Sequence, residues 1–306
     1  MGGQLEEEIM PTAVAAPRDA KLYKPEVPPD WCPGCGDYGV LTVLQRACGE
    51  LGIPNEQLMV VSGIGCSSNL PGFFKSYGMH SLHGRSLPVA TGTKMANHEM
   101  TVIACGGDGD GYGIGQGHFI HAMRRNVNIT YIVMDNEIYG LTTGQTSPTS
   151  ETGMKTKSTP HGNPEGQLNP IALALAAGCG FVARGFSGDI NHLKSLYTQA
   201  IQYPGFALID VFSPCVTFNK QNTFGWFKER VYKLEDKGHD ATNWNSAMER
   251  SKEWGAQIPI GLFYKNPNPK PSIDAADPAL QGEGLAKAKK LGLSAEQRKK
   301  LIEEYV

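Results

Sequence analysis

The sequence lacks the features that mark several classes of protein. No run of Lys and Arg is long enough to form an electrostatic footprint for nucleic acid, and the 28 basic and 30 acidic residues nearly cancel. The amino terminus has no basic segment followed by an apolar stretch, and no later window approaches eighteen consecutive apolar residues. We therefore expect a cytoplasmic protein that binds neither nucleic acid nor a membrane.

Cysteine and glycine are present in informative numbers. Disulfides are rare in the reducing cytoplasm, so the seven cysteines are expected to be packing residues, metal ligands or redox groups. Glycine makes up 37 of 306 residues, about 12% against a typical ~7%. Much of this excess lies in residues 63–92 and 106–117, which indicates local loops with exposed backbone rather than a flexible linker.

The middle of the chain alternates between helical and buried-strand patterns. Apolar periodicity predicts helices at Val40–Leu51, Ile114–Arg125, Pro170–Ala177 and Ile190–Gln202. Short apolar runs predict strands at Leu58–Val61, Thr101–Cys105, Ile129–Met134, Phe181–Ala183 and Ala207–Phe212. Strands that alternate with helices predict an α/β fold with a doubly wound, mostly parallel sheet.

The two ends of the chain do not follow this pattern. Residues 1–30 are rich in proline and unpatterned, so we expect an arm that lies across another surface. The alternation fades after about Phe218, Asn266–Pro271 has the composition of a linker, and Ala275–Val306 is a charged, helix-prone tail. We therefore predict three parts, an N-terminal arm at 1–30, an α/β domain at 31–230 and a C-terminal extension at 231–306.

The strongest local signal is a loop rich in glycine and aspartate between a predicted strand and a predicted helix. It contains Gly107, Asp108 and Gly109, and Asn136 lies 28 positions after Asp108, at the end of the next predicted strand. A strand, a crossover helix and a parallel strand take about 30 residues, so both side chains should reach the same edge of the sheet. A carboxylate, an amide oxygen and a main-chain carbonyl leave room on Mg²⁺ for two phosphate oxygens and a water. The spacing therefore predicts a diphosphate-bound Mg²⁺ site, where glycines let backbone amides approach the phosphate.

Other interpretations of this loop fail on spacing. No Gly-x-Gly-x-x-Gly fingerprint fits within residues 106–117, and the chain has no Gly-Lys followed by Ser or Thr, so neither a dinucleotide site nor a P-loop is predicted. A calcium loop that starts at Asp108 would need Asn or Asp at Tyr112 and Glu at Phe119. His118 and His121 lie at helical spacing, and we assign them no role.

A pair of cysteines, Cys32 and Cys35, follows Trp31 in a Cys-x-x-Cys motif. A thioredoxin-like redox site is one alternative for the pair, although a proline-rich segment precedes it instead of a strand. A zinc ribbon would need a second Cys-x-x-Cys, which the sequence does not contain. Cys66 and Cys215 each lie just beyond a predicted strand, and with the pair they supply four thiolates for a [4Fe–4S] cluster. The remaining three are predicted to be small core residues: Cys48, Cys105 and Cys179.

The Gly-Asp-Gly motif followed 28 residues later by Asn resembles the cofactor motif of thiamine diphosphate enzymes. The resemblance implies that Asp108 and Asn136 are side-chain ligands of Mg²⁺ and that Ile138 is its main-chain ligand. It also implies that three further residues lie near the diphosphate: Gly109, Gly140 and Leu141.

A wider set of motifs is similar to the beta subunit of two-subunit 2-oxoacid:ferredoxin oxidoreductases, over roughly residues 25–230. The set comprises Cys-Pro-Gly-Cys-Gly from Cys32, Gly-Ile-Gly-Cys-Ser-Ser from Gly63, His-Gly-Arg from His83 and Gly-Asp-Gly-Asp from Gly107. The resemblance implies that the cluster ligands are Cys32, Cys35, Cys66 and Cys215. It also implies that two segments lie against thiamine diphosphate: Ile64, Gly65, Cys66 and Ser67, and His83, Gly84, Arg85 and Ser86.

The same resemblance implies a reaction. A 2-oxoacid would be decarboxylated reversibly with coenzyme A to acyl-CoA and CO₂, and electrons would pass through the cluster to ferredoxin. The sequence offers no convincing glutamate to activate the thiamine ring, and in this family the alpha subunit supplies it. We therefore expect activity only with an alpha subunit, in an α₂β₂ or similar assembly.

The substrate is predicted only by resemblance. The segment Asn69–Phe74, which follows Cys66, favours 2-oxoglutarate over pyruvate. Three alternatives stay open: a pyruvate:ferredoxin oxidoreductase, a cluster-free thiamine decarboxylase or synthase, and a protein with a structural iron–sulfur or zinc site and no catalysis.

Overall fold

The computed structural model describes residues 16–280, 284, 286 and 294–303. The first fifteen residues of the predicted arm lie outside the described residues, as do parts of the predicted tail, namely 281–283, 285, 287–293 and 304–306. Within the described part of the chain, no helix is long and apolar enough to cross a membrane.

An eight-stranded sheet forms the centre of the described molecule. Along the chain, its strands are β1 Leu58–Ser62, β2 Tyr77–His80, β3 Thr101–Gly107, β4 Thr130–Asp135, β5 Phe181–Phe186, β6 Ala207–Phe212, β7 Val231–Lys233 and β8 Ile258–Lys265. Their order across the sheet is β2-β1-β3-β4-β6-β5-β8-β7. All neighbours run parallel except β5 and β8, which are antiparallel. The predicted α/β class with a mostly parallel sheet is confirmed.

Helices cover both faces of this sheet. The helices of the described part of the chain are α1 Asp37–Glu50, α2 Ser86–Ala96, α3 Gln116–Arg125, α4 Pro170–Ala176, α5 Ile190–Ile201, α6 Phe224–Arg230, α7 Trp244–Ser251, α8 Ile273–Ala276 and α9 Ala295–Glu303. Successive residues of a strand point to opposite faces. Val60 of β1 therefore packs in one core with α1 and α5, whereas Val61 packs in a second core with α2, α3, α4 and α7. The two apolar layers confirm the doubly wound arrangement.

Three strands that apolar patterning did not predict, β2, β7 and β8, extend the sheet at its ends. All four residues of β2, Tyr77–His80, are exposed, so this edge strand has no buried face to produce a pattern. At the other side, β8 lies beyond residue 230 and pairs with β5. The sheet therefore does not end where the predicted α/β domain ends, and the boundary at 230 stays a prediction.

The predicted helix at Ile114–Arg125 begins later in the structure. A π-helical turn occupies Gly109–Ile114, and Gly113 within it leaves the helical region at φ −86° and ψ −107°. The regular helix α3 starts at Gln116. The glycine-rich segment thus forms a distinct turn between β3 and α3.

The described part of the predicted arm packs on its own chain. Tyr23 is fully buried, and its hydroxyl lies 3.0 Å from the carbonyl oxygen of Cys48 and 2.6 Å from that of Ile53. The backbone amide of Arg18 also donates to the carbonyl of Gly49, 2.7 Å away. These contacts attach residues from 18 onwards to the C-terminal end of α1.

This attachment gives a prediction for stability. Replacing Tyr23 by Phe removes the only hydroxyl that contacts the Cys48 and Ile53 carbonyls among the described residues. We expect the free energy of unfolding to fall by about 0.5–1.5 kcal/mol in chemical denaturation, because each carbonyl loses one donor and keeps another, the Ile53 amide for Cys48 and the Arg18 guanidinium for Ile53. The matched change Tyr77→Phe on the exposed edge strand should alter it by less than about 0.5 kcal/mol. Equal effects of the two changes would contradict the packing of this segment.

Candidate functional site

The ends of five parallel strands bring the predicted site residues together. The last residue of β1, Ser62, aligns with Cys105 of β3 and with His80 of β2. Gly107 of β3 aligns with Met134 of β4, and Asp135 aligns with Phe212 of β6. The loops that follow these strands therefore leave the same edge of the sheet, which is where open parallel sheets bind ligands.

A cavity of about 200 Å³ lies at this edge. Its lining includes most of the residues predicted from the sequence: Ile64, Gly65, Cys66, Ser67, His83, Asp108, Gly109, Asn136, Ile138, Gly140 and Leu141. Gly107, Asp110, Tyr139 and Thr142 complete the lining. A larger cavity of about 930 Å³ between Phe186, Phe224 and Lys233 contains none of the predicted residues. We assign the functional site to the smaller cavity because of the residues that line it, although its volume is lower.

The carboxyl group of Asp108 is buried beneath this cavity. The Thr149 hydroxyl lies 2.8 Å from Asp108 Oδ2 and also 2.8 Å from Asp135 Oδ1. Burial and the neighbouring charge of Asp108 raise the pKa of Asp135 well above its usual value, and burial raises the pKa of Asp108 to about 6. A hydroxyl carries one hydrogen. A neutral Asp135 can therefore donate to Thr149 while Thr149 donates to an ionised Asp108.

Asn136 and Ile138 occupy the turn after β4. The Asn136 side-chain oxygen accepts a hydrogen bond from the Ile138 amide at 3.1 Å, and Asn219 donates to the Asn136 carbonyl at 2.9 Å. Between them, Glu137 adopts a left-handed conformation with φ 57°. This sharp turn returns the backbone towards the cavity, so that Asn136 and Ile138 both line it beside Asp108. One carboxylate, one amide and one peptide unit are thus available to a hard cation.

Asp110 has a different environment from Asp108. Its Oδ1 atom accepts hydrogen bonds from the Ile64 amide at 2.9 Å, the Gly84 amide at 2.8 Å and His83 Nδ1 at 2.8 Å. Sequence reasoning gave no role to this residue beyond preferring Asp108 as the metal ligand. Its position in Gly-Asp-Gly-Asp was the available signal, whereas nothing in the sequence pointed to Thr149.

Three predicted cofactor residues do not line the cavity. Gly84 lies behind it against Ile114 and Gly115, and Ser86 is buried at the start of α2. The Arg85 guanidinium points away to His118, with 2.8 Å between Nη1 and Nε2. In the structure, His83 therefore lines the cavity. The cofactor-binding roles of Gly84, Arg85 and Ser86 stay predictions.

The Cys32–Cys35 loop is held between two strand ends. The Cys35 amide donates to the Cys32 carbonyl at 2.9 Å, which closes a tight turn. The Gly36 amide donates to the Pro214 carbonyl at 3.2 Å, next to Cys215. The Trp31 indole donates to the Cys66 carbonyl at 2.7 Å. These three bonds gather all four predicted cluster cysteines at one place.

Gly140 lies between two of these cysteines. A methyl group built on Gly140 would stand 3.6 Å from the Cys215 sulfur and 3.8 Å from the Cys66 sulfur. In contrast, the three cysteines predicted for the core are buried there, at Cys48, Cys105 and Cys179. None of the seven forms a disulfide.

The side chains of the cysteine group do not converge on a single point. Across the residues that the structure describes, no three His, Cys, Asp or Glu side chains converge closely enough to hold one ion. A zinc ion would require such convergence, with Zn–S distances of about 2.3 Å. An iron–sulfur cluster takes its thiolates around a larger core. Burial raises the pKa of Cys66 to about 11, so a bound cluster would have to displace its proton.

The Thr149 bridge gives a prediction that needs no ligand. Replacing Thr149 by Val keeps the side-chain shape but removes the hydroxyl shared by Asp108 and Asp135. We expect the free energy of unfolding to fall by about 1–3 kcal/mol, because two buried carboxyl groups lose a partner. Thermal or urea denaturation at neutral pH measures the loss.

A matched control is available in α5. The Thr198 hydroxyl is buried without a hydrogen-bond partner among the described residues. Thr198→Val should therefore leave stability unchanged or raise it slightly. If Thr149→Val were equally harmless, the proposed bridge between the two carboxyl groups would be wrong.

Two protein-family models match consecutive parts of the chain. Residues 63–211 match the C-terminal thiamine pyrophosphate-binding domain of thiamine pyrophosphate enzymes. Residues 215–280 match the C-terminal part of the pyruvate ferredoxin oxidoreductase beta subunit. The first match contains Asp108, Asn136 and Ile138, and it supports thiamine diphosphate as the cofactor of this domain.

Individual proteins are similar over most of the chain. Subunit beta of 2-oxoacid:ferredoxin oxidoreductase 1 from Aeropyrum pernix is 46% identical over 288 residues, which cover 87% of this chain and 90% of that protein. The 2-oxoglutarate oxidoreductase subunit KorB of Mycobacterium tuberculosis is 44% identical over 203 residues, covering 66% of this chain and 54% of that protein.

A solved structure supports the same relationship. The 2-oxoglutarate:ferredoxin oxidoreductase from Magnetococcus marinus, with 2-oxoglutarate, coenzyme A and succinyl-CoA bound, is 43% identical. The match has a TM-score of 0.83 and covers 88% of this chain and 91% of that one. Sequence motifs, fold and relatives agree, and the chain belongs to the family of 2-oxoacid:ferredoxin oxidoreductase beta subunits.

Proposed function

We propose that this chain binds thiamine diphosphate through Mg²⁺, carries a [4Fe–4S] cluster, and works in the cytoplasm with an alpha subunit. The assembly, α₂β₂ or similar, would oxidise 2-oxoglutarate with coenzyme A to an acyl-CoA and CO₂, reversibly, and pass electrons to ferredoxin. The observation that carries this proposal is the sharing of residues between the two sites. Cys66 and Gly140 line the cavity beside Asp108, and both lie at the cysteine group.

The residues at the cavity fit a diphosphate-bound Mg²⁺ ion. Asp108, Asn136 and Ile138 supply the types of oxygen that this ion prefers. Gly109 would let the diphosphate approach the backbone closely. Any side chain at this position would also collide with the Tyr139 ring. The Tyr139 hydroxyl donates to the Gly109 carbonyl at 3.1 Å. Bound thiamine diphosphate would supply an electron sink for loss of CO₂. The chain itself would orient that cofactor and exclude water from its diphosphate.

The cysteine group fits a four-iron cluster close to the surface. Cys32 is exposed, and Cys35, Cys66 and Cys215 are half-buried, so the site has both an inner and an outer side. The inner side adjoins the cavity through Cys66. The exposed side at Cys32 would be available to an external electron acceptor such as ferredoxin.

The rim of the cavity supports the need for an alpha subunit. Ile64 and Leu141 line the cavity and are exposed. Two further apolar side chains are exposed nearby in the chain or fold, Leu82 next to His83 and Ile114 against Gly84. Exposed apolar side chains grouped near a site are typical of a surface that another protein covers. No glutamate is present in the described lining of the cavity, and Glu137 is buried away from it. A partner could therefore complete the site.

The comparisons support two different substrates, 2-oxoglutarate and pyruvate. The similar structure from Magnetococcus marinus holds 2-oxoglutarate, and KorB of Mycobacterium tuberculosis is named for the same substrate. The family model over residues 215–280 is named for pyruvate. We propose 2-oxoglutarate first and pyruvate as the second candidate.

Steady-state kinetics of the co-expressed alpha and beta subunits distinguish these substrates. We expect coenzyme A-dependent reduction of a viologen dye, with a higher kcat/KM for 2-oxoglutarate than for pyruvate. A higher value for pyruvate would reverse the order of the two candidates. No reduction with any 2-oxoacid would refute the enzyme assignment.

Gly140 provides a test of the cluster that is independent of turnover. In Gly140→Ala, the new methyl group would occupy space between the Cys66 and Cys215 sulfurs that the cluster needs. We expect anaerobically purified wild-type assembly to contain about four iron atoms per beta chain and the variant to contain less than half of that. Iron analysis and visible absorbance measure the difference.

Gly92→Ala is the matched control for this change. Gly92 lies inside α2, and no atom lies within 4 Å of the position where its methyl group would be built. The control should therefore keep its iron and fold at least as well as the wild type. A colourless wild-type assembly that still binds thiamine diphosphate would instead favour the cluster-free decarboxylase.

A further inference from the structure

The carboxyl group of Asp110 is enclosed by backbone. Asp110 is exposed by only 2%, and its Oδ2 atom lies against Gly63 and Gly106, where a side chain on either glycine would collide with it. Oδ2 has no hydrogen-bond partner among the described residues. Oδ1, by contrast, accepts three hydrogen bonds. Asp110 therefore shares none of these hydrogen-bond partners with Asp108, whose Oδ2 contacts Thr149.

The three donors to Asp110 come from two separate segments. The Ile64 amide belongs to the loop after β1, which also carries Cys66. The Gly84 amide and the His83 ring belong to the loop after β2. One buried carboxylate thus joins the glycine turn after β3 to both loops that approach the cavity. A charge-assisted hydrogen bond is roughly twice as strong as a neutral one, so these are strong attachments.

The contact with Asp110 also orients the His83 ring. A carboxylate oxygen 2.8 Å from Nδ1 requires that Nδ1 carries a hydrogen. Nε2 has no hydrogen-bond partner among the described residues, the side chain is 39% exposed, and the ring lines the cavity. In the neutral ring, Nε2 is therefore left as an acceptor for a ligand in the cavity.

We propose that Asp110 is a positioning residue that acts through His83, and that His83 Nε2 contacts the thiamine diphosphate bound in the cavity. The proposal rests on the proposed thiamine diphosphate site and adds to it the residue that holds the histidine in place. For histidines that bind a metal, replacing the partner that orients the ring typically changes affinity or activity by about 10-fold to 100-fold, and we expect an effect of this order here.

A double-mutant cycle in the assembled complex tests this role. Asp110→Asn keeps an oxygen acceptor for the two amides but removes the charge, and His83→Asn keeps a donor towards Asp110 but removes Nε2. We expect each change to raise the Kd for thiamine diphosphate, measured by equilibrium dialysis with Mg²⁺, by about 10-fold. The double variant should bind no more weakly than the weaker single variant, because both changes remove one contact.

Two results of the cycle would overturn the proposal. One is an Asp110→Asn complex that binds as tightly as the wild type or as the control Asp236→Asn, whose side chain is exposed and lines the other, larger cavity. The other is a double variant whose weakening is the product of the two single effects, which would mean that Asp110 does not act through His83. A wild-type complex that fails to bind thiamine diphosphate would remove the proposed function itself.

Chemical labelling of the wild-type complex keeps the proposal testable if a variant does not assemble. Diethyl pyrocarbonate labels an accessible imidazole nitrogen, and peptide mass spectrometry separates His83 from the other seven histidines. We expect thiamine diphosphate with Mg²⁺ to slow the labelling of His83 by about 10-fold or more, as a direct contact would. Unchanged labelling of His83 in the presence of the bound cofactor would contradict the contact.

Discussion

The alignment of parallel strands is the constraint on which the rest of this structure depends. Because β1, β3, β4 and β6 run in the same direction, the loops that follow them all leave one edge of the sheet. These loops carry Cys66, Asp108, Asn136 and Cys215, which are separated by up to 149 positions in the sequence, from 66 to 215. Two sets of predicted ligand residues are thereby placed side by side.

Cys66 belongs both to the predicted cofactor-binding residues and to the predicted cluster ligands, and this has a physical consequence. Electron transfer between a cofactor and a cluster is fast only over short distances, and a loop shared by both sites fixes that distance through the backbone. The loop itself is fixed at two points, since Trp31 binds the Cys66 carbonyl and Asp110 binds the Ile64 amide. Rigid attachment of a functional loop in this way preserves the geometry on which its chemistry depends.

Much of this arrangement could be predicted from the sequence because it depends on local spacing. The strand β3, the turn after it and Asn136 follow from apolar runs, glycines and a crossover of ordinary length. Asp110 and Thr149 could not be given roles, since their partners at Ile64, His83 and Asp135 become neighbours only after folding. The edge strand β2 and the antiparallel β8 were missed for similar reasons, since one has no buried face and the other is defined by a distant partner, β5.

The proposed function requires that the thiamine site and the cluster be adjacent parts of one electron path. Freeze-quench electron paramagnetic resonance of the anaerobic assembly tests it most directly, with a 2-oxoacid added in the absence of coenzyme A and ferredoxin. The account predicts that the signal of a reduced [4Fe–4S] cluster develops within a single turnover and requires bound thiamine diphosphate. A cluster that stays oxidised while the 2-oxoacid loses CO₂ would contradict it.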